Sequence, residues 1–316
     1  MKVLIAGGAG FIGSNLASYH LDRDDEVYII DNYITGQVKN IELLNIGSSV
    51  HFLEGDIVNF DFSGVPCVDI IYHLASPASP IQYKKYPVET LMTNALGTKN
   101  LLDFMQKSES KSFVLASTSE VYGDPLVHPQ KEDYWGNVNP NGVRSCYDEG
   151  KRFAESLSKT YQRKYNLNIR IARIFNTYGP NMEQLDGRVI SNFIMQALRN
   201  NPITIYGDGT QTRSFCYVSD LVSGLYLLAT TKNIEGEVIN LGNPNELTIK
   251  DMAEMVKTMT HSQSQIVFEP IDEDDPKKRK PDIEKALKLL HWKPSVNLED
   301  GLAKTIQYFK TRFIDN

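Results

Sequence analysis

The run Gly7-Gly8-Ala9-Gly10-Phe11-Ile12-Gly13, directly behind the apolar stretch Lys2 to Ala6, limits this chain more than any other feature. Glycines at that spacing end a strand, turn the backbone sharply and open a helix, expected here to run to about Leu21. Such a turn leaves backbone N–H groups bare at a helix N-terminus, where a pyrophosphate can sit. Gly7 and Gly10 suit the tight turn and close approach of a ligand, and Gly13 lets the helix lie on the sheet. Phe11 and Ile12 belong to the same candidate set. A glycine-rich turn with no ligand is the plain alternative, and the residues downstream have to decide between the two.

Strands and helices then alternate. Strands are expected over Glu26 to Ile30, Val50 to Glu54, Ile70 to His73, Ser112 to Ala116 and Ile169 to Ile174, with a long helix from roughly Val88 to Lys107. That order predicts an α/β fold, a doubly wound parallel sheet of the Rossmann class. Ligands of such sheets lie at the carboxyl ends of the strands. Asp31 is placed there to bind the ribose hydroxyls of an adenosine, with Asn32, Thr35 and Gly36 beside it. Asp56 and Ile57 follow the third strand, Leu74, Ala75 and Ser76 follow the fourth, and Thr93 lies on the long helix. An acid at position 31 repels a 2′-phosphate and no Arg occurs in residues 32–36, so NAD is favoured over NADP; Lys39 weakens that exclusion slightly. His73 reads as a packed strand residue.

The fifth strand ends at Ser117-Thr118-Ser119-Glu120, on the side of the glycine turn. A loop rich in Pro, Gly and Asn, about 122–143, leads to Arg144-Ser-Cys-Tyr-Asp-Glu-Gly-Lys-Arg152. Tyr147 and Lys151 are four apart and share a helix face. Beside an ammonium and a cationic nicotinamide ring, the phenol is expected to lose its proton more easily and to take one from a substrate hydroxyl. Tyr-x-x-x-Lys alone is common on helix surfaces; the upstream glycine turn is what gives it weight.

Beyond Pro180 the pattern turns irregular. A helix near Arg188 to Asn200, strands near Ile203 to Tyr206 and Ser214 to Val218, a helix from Ser219 and a strand at Val238 to Leu241 are expected, then helices near Ile249 to Met259, Ile283 to Leu290 and Leu298 to Phe313. The expected division is a dinucleotide domain over 1–180 with a return at about 214–242, and a smaller mixed α/β substrate lobe in most of 181–316. For the charged run Asp272 to Pro281 a solvated loop is the default.

A net charge of −6 over 316 residues argues against nucleic acid as a partner. Cys67, Cys146 and Cys216 lack disulfide or metal spacing, so no metal is expected and a reducing, cytoplasmic location is. No apolar run approaches a membrane span, and the opening residues leave no room for a signal segment.

With these residues in hand, the chain resembles the extended short-chain dehydrogenase/reductases from Val3 to about Phe309. In that family the glycines hold NAD, and Thr118, Tyr147 and Lys151 match the residues that do its proton work. The stretches His73 to Pro80, Ser117 to Asp124, Arg144 to Arg152, Ala172 to Pro180 and Lys278 to Ile283 resemble those of members that decarboxylate UDP-glucuronate. The resemblance implies oxidation at C4 of the sugar, loss of CO2 from the resulting β-keto acid, and reduction to UDP-xylose with NAD recycled. It places Arg279 on the sugar carboxylate, which suits a planar guanidinium. It makes Glu120 catalytic, as a relay through water or as a negative neighbour. Asn176, Arg188 and Arg213 match positions that hold the diphosphate or sugar. Related 4,6-dehydratases carry Asp at the position of Ser119 to protonate a leaving hydroxyl; a serine is poorly suited to that, so dehydration ranks low. Members commonly form homodimers through the helices near 88–107 and 149–165. Three rivals are a decarboxylase that releases the 4-keto-pentose with NADH, a UDP-sugar 4-epimerase, and a dinucleotide sensor without turnover.

Overall fold

The computed structural model describes residues 1–44, 47, 49–270 and 278–314. Its first half is the expected alternation: β1 (Lys2–Ala6), α1 (Phe11–Leu21), β2 (Glu26–Asp31), α2 (Val38–Glu42), β3 (Val50–Glu54), β4 (Ile70–His73), α3 (Pro80–Lys85), α4 (Pro87–Met92), α5 (Thr98–Ser108), β5 (Ser112–Thr118), α6 (Ser145–Tyr165) and β6 (Ile169–Ile174). The second half holds β7 (Thr177–Tyr178), α7 (Val189–Leu198), β8 (Ile203–Tyr206), β9 (Thr212–Ser214), β10 (Cys216–Tyr217), α8 (Val218–Thr230), β11 (Val238–Leu241), β12 (Glu246–Thr248), α9 (Ile249–Thr260), β13 (Ile266–Glu269), β14 (Lys278–Arg279), α10 (Glu284–Leu290) and α11 (Leu298–Ile314).

Seven strands pair in parallel in the order β11-β6-β5-β4-β1-β2-β3. The order reverses between β1 and β4, which opens a crevice at the carboxyl ends of the strands. Val3 and Ile5 of β1 join an apolar cluster with Leu16 of α1 and Leu221 and Leu225 of α8. Leu4 and Ala6 join a second cluster with Leu101 and Met105 of α5 and Ala154 of α6. Both faces of the sheet are therefore covered, which is why β1 and β4 read as nearly continuous apolar runs. Among the described residues, three small sheets lie beyond it: β10-β7, β12-β9-β14 and β13-β8. No helix among the described residues is long and apolar enough to cross a membrane.

Two expectations need correction. The helix expected from Val88 to Lys107 is interrupted by a π-turn over Thr93–Gly97, where Thr98 Oγ1 donates to Asn94 O and also meets the ring of buried His73. The strand expected over Ser214 to Val218 is two strands in different sheets. Arg213 pairs with Leu247 of β12 and Arg279 of β14, whereas Cys216 pairs with Thr177 of β7. Val218 already belongs to a helix. Of the charged run, Asp272 to Lys277 lie outside the described residues, while Lys278 and Arg279 form a strand, so a solvated loop does not describe Arg279.

The carboxyl-terminal segment is tied to α8 by one buried carboxylate. Asp220 accepts from Ser295 N at 3.0 Å, Val296 N at 2.9 Å and Ser295 Oγ at 2.8 Å, and its carbonyl accepts from Trp292 Nε1 at 2.9 Å. Asp220→Ala strands those three donors and is expected to lower stability by about 3 kcal/mol. Thermal melting checks this: an unchanged midpoint would show that the segment is held by its apolar contacts alone.

Candidate functional site

One cleft at the carboxyl ends of the strands is lined by Gly7, Gly10, Phe11, Ile12, Gly13, Thr35, Leu74 and Ser76, and also by Thr118, Ser119, Glu120, Tyr147, Lys151, Asn176, Arg188, Arg213 and Arg279. Residues 272 positions apart in sequence, from Gly7 to Arg279, thus face one space. The glycine turn is packed to its limit. Gly7 has φ +85°, and a Cβ there would lie 2.6 Å from Ala75 N; a Cβ on Gly13 would lie 2.2 Å from Gly7 O. Helix α1 starts at Gly10 with no side-chain cap and no acid in its first turn. Its orphan N–H groups and the positive end of its dipole therefore face the cleft, which suits a diphosphate. These residues fit NAD.

The remaining cofactor candidates lie behind or beside that wall. Asp31 accepts from Ala9 N at 2.9 Å and from Tyr33 N at 2.8 Å, so its carboxylate closes the glycine turn against the end of β2. Burial raises its pKa, and the backbone N–H groups pull it back. Gly36 abuts it, since a Cβ there would lie 2.7 Å from Oδ1. Asn32 donates to Asp56 at 3.1 Å, and Asp56 also accepts from Val58 N at 2.9 Å. Ile57 and Thr93 are buried, and Ala75 backs Gly7.

On α6, Tyr147 and Lys151 both point into the protein and are nearly inaccessible. Thr118, the last residue of β5, hydrogen-bonds the Tyr147 hydroxyl. Lys151 Nζ donates to Ala116 O at 2.9 Å and lies 5.9 Å from the Tyr147 ring centre. Burial pushes the phenol up to about 12, against the pull of the Thr118 hydrogen bond. The expected easier loss of the proton includes the cationic nicotinamide ring, and without it burial outweighs the pull of the protein's own groups. Burial also pushes Lys151 down to about 7, with Glu155 opposing. Both groups are thus driven toward neutrality, and any acidification of the phenol must come from a cation that binds beside it.

The other end of the cleft is rich in charge. Arg279, only 2% exposed, donates from one terminal nitrogen to Ser119 Oγ at 2.8 Å and Glu120 Oε1 at 3.0 Å, and from the other to Gly123 O at 2.9 Å. Arg144 grips the second oxygen of Glu120. Burial alone would raise the Glu120 carboxyl, but Arg279 and Arg144, aided by Arg213, hold it at about 2. Arg213 is buried on β9, Arg188 pairs with Asp186 at 2.8 Å, and Asn176 follows β6.

Three residues to which the sequence assigns no role belong here. Tyr83 stacks on Tyr147 with ring centres 5.2 Å apart and planes at 7°. Arg144 shares Glu120 with Arg279, and Asp148 is buried one turn below Arg144. Arg144 and Asp148 flank Tyr147 within a single nine-residue stretch, and that adjacency is the signal the sequence offers. Tyr83 sits on a six-residue helix that leaves no periodic trace. Among the described residues, no group of three or more His, Cys, Asp or Glu could hold a metal ion.

The sequence profile of GDP-mannose 4,6 dehydratase matches residues 4–305. UDP-glucuronic acid decarboxylase 1 of Arabidopsis thaliana is 50% identical over 315 residues, covering 100% of this chain and 71% of that protein. UDP-glucuronic acid decarboxylase 1 of Danio rerio is 51% identical, covering 98% of this chain and 72% of that protein. The solved UDP-glucuronic acid 4-epimerase from Bacillus cereus, in complex with UDP-glucuronic acid and NAD, superposes with a TM-score of 0.90 at 33% identity, covering 99% of this chain and 100% of that one.

The low Lys151 pKa carries a stability signature. Unfolded, the amine titrates near 10.5; folded, near 7. Between those values the unfolded state binds more protons, so stability rises with pH across that window, and below it the buried charge is a full penalty. Lys151→Met is therefore expected to raise the melting temperature by several degrees at pH 6, with the gain shrinking as pH climbs toward 10. A pH-independent gain would mean that Lys151 is not desolvated.

Proposed function

The chain belongs to the GDP-mannose 4,6 dehydratase family, alongside the UDP-glucuronic acid decarboxylases with which it shares half of its residues, and from that premise we propose that it decarboxylates UDP-glucuronate to UDP-xylose, using and regenerating NAD. The observation that carries this reading is the arrangement of one cleft: a buried Tyr–Thr–Lys set at one end and an arginine-bound Ser119–Glu120 pair at the other.

Bound NAD supplies the oxidant for C4 and later the reductant for the 4-ketone. The chain does the rest. Gly7, Gly10, Phe11, Ile12 and Gly13 hold the diphosphate, Asp31 and its neighbours the adenosine end, and Leu74, Ala75, Ser76 and Thr93 border the cofactor. Tyr147 takes the proton from O4, with Thr118 hydrogen-bonding the same oxygen and Lys151 holding the nicotinamide ribose. Once C4 is a ketone, the C6 carboxylate is a β-keto acid; when CO2 leaves, the Tyr147 and Thr118 hydroxyls stabilise the enolate oxygen, and a proton from solvent added at C5 restores the 4-ketone. Arg279 and Ser119 border the carboxylate, with Glu120 as an anion beside it, and Asn176, Arg188 and Arg213 take the UDP. In this division residues 1–180 and the return at 214–242 serve NAD, and the rest of 181–316 mainly serves the sugar nucleotide. Free thiols at Cys67, Cys146 and Cys216 suit a reducing cytoplasm.

The test is product stoichiometry. With UDP-glucuronate in excess over NAD, the enzyme is expected to release many equivalents of CO2 per NAD and to accumulate UDP-xylose. One equivalent per NAD with NADH building up would replace this reading with the keto-releasing one.

The reading includes a homodimer. Val88, Leu91, Met92, Leu96 and Phe153 are exposed on α4, the π-turn and α6, which pack side by side. A row of exposed apolar side chains on paired helices fits a second copy of the same face. Sedimentation at twice the 35.7 kDa chain mass, falling to the chain mass in Leu91→Asp/Phe153→Glu, is expected; a wild-type monomer would refute it.

A further inference from the structure

Asp148 follows Tyr147 directly but faces the charged end of the cleft. Its Oδ2 lies 3.9 Å from Arg144 Nε, while Arg144 holds Glu120 with a terminal nitrogen. Arg144 therefore bridges two carboxylates. The other oxygen, Oδ1, is buried and has no hydrogen-bond partner. A permanently ionised carboxylate is costly in that setting, whereas a protonated one is not. The groups facing Asp148 are Arg144, Glu149 and Tyr147 on its own helix, Glu120 after β5, Arg279 on β14 and Tyr83 on α3.

Charge accounting then decides. Arg144 and Arg279 carry two positive charges, and Glu120 and Asp148 two negative ones when both are ionised. In the decarboxylation reading, on which this inference rests, Arg213 is engaged by the diphosphate. A substrate carboxylate entering beside Arg279 is a third negative charge in a water-poor pocket. Glu120 cannot absorb the imbalance, because its two guanidiniums hold it ionised. Asp148 can, since burial and Glu120 push it up to about 7 against the pull of Arg144 and Arg279.

We propose that Asp148 is a specificity-determining residue that couples recognition of the sugar carboxylate to uptake of one proton. The proton comes from solvent when the carboxylated sugar nucleotide binds and returns to solvent when the carboxylate has left as CO2. Asp148 touches no substrate; it acts through Arg144 and Glu120. The site thereby favours the acid over its decarboxylated product and weakens its hold on the acid as pH rises.

The experiment uses the NAD-loaded Tyr147→Phe protein, which lacks the phenol needed for turnover. Binding of UDP-glucuronate and of UDP-xylose is measured by calorimetry at pH 7.5 in buffers of different ionisation enthalpy. UDP-glucuronate is expected to take up about half a proton or more, and UDP-xylose close to none. Adding Asp148→Asn should abolish the difference in proton uptake between the two sugars. The Kd for UDP-glucuronate should rise up to about tenfold per pH unit above 7, and stay flat in the Asn variant. Equal uptake with both sugars, or uptake that survives Asp148→Asn, would overturn the proposal. If the Asn variant does not fold, Asp148→Glu decides: the midpoint of the pH dependence of UDP-glucuronate binding should move, and an unmoved midpoint would overturn the proposal. Failure of the functional reading would show separately, as no CO2 from UDP-glucuronate with the unmodified enzyme.

Discussion

The ion pair between Glu120 and Arg279 joins parts of the chain that lie far apart in sequence and brings them together at the cleft. Glu120 lies just past β5 in the main sheet, Arg279 on β14 in a small one, and Arg144 at the start of α6 adds a third anchor. Breaking such a buried set costs about 3–5 kcal/mol, because the partners left behind stay charged and dry. The backbone around Arg279 is correspondingly over-determined. Gln130, fully buried, donates its N–H to Lys280 O at 2.9 Å, accepts Lys280 N on its side chain at 2.8 Å, and accepts Asp282 N at 2.9 Å. On the opposite side β14 pairs with β9. The guanidinium is thus presented by two sets of main-chain hydrogen bonds, which limits its freedom to follow a ligand.

The two ends of the cleft are electrically opposite in design. Around Tyr147, stacking on Tyr83 and burial favour uncharged groups, and Lys151 is shared with the carbonyl of Ala116. One turn further along α6, Glu155 opposes the loss of the Lys151 charge; it is itself fixed by Arg173 at 2.9 Å and by Ser117 Oγ. At the far end two arginines hold a carboxylate ionised. A reaction that moves negative charge from a carboxylate toward an oxygen beside the phenol would run from the stabilised end to the end where only hydrogen-bond donors can receive it. That polarity gives the proposed decarboxylation a direction.

Much of the fold is legible from the chain alone, for reasons that differ by residue. The central strands of the main sheet are buried on both faces, so β1 and β4 appear in the sequence as apolar runs with little ambiguity. The glycine turn is written in residues that nothing larger can replace. By contrast β7, β9, β10, β12 and β14 are two or three residues long, shorter than any period that could betray them, and exist only through their partners. The division of Ser214 from Cys216 is of that kind. Arg279 is reached by resemblance, yet its neighbours Arg144 and Asp148 escape notice, because a charge on a helix usually means a solvated face. The burial of Tyr147 is hidden for a related reason: sequence spacing reports which groups are near, and how far they are removed from water appears only once the fold exists.

The same geometry bears on what the cleft cannot easily do. Expelling a hydroxyl from C6, as a 4,6-dehydratase must, requires an acid able to give up a proton near that carbon. Ser119 is a hydroxyl that already accepts from Arg279 at 2.8 Å, and it is buried. Its neighbour Glu120 is held at about 2 and is therefore an acceptor at any physiological pH. In the proposed reading, the groups that border C6 are thus a poor acid, a committed anion and the guanidinium that binds both. A hydroxyl there has no donor to help it leave, whereas a carboxylate needs none: once the ketone forms, the bond to CO2 breaks without proton transfer to the leaving group.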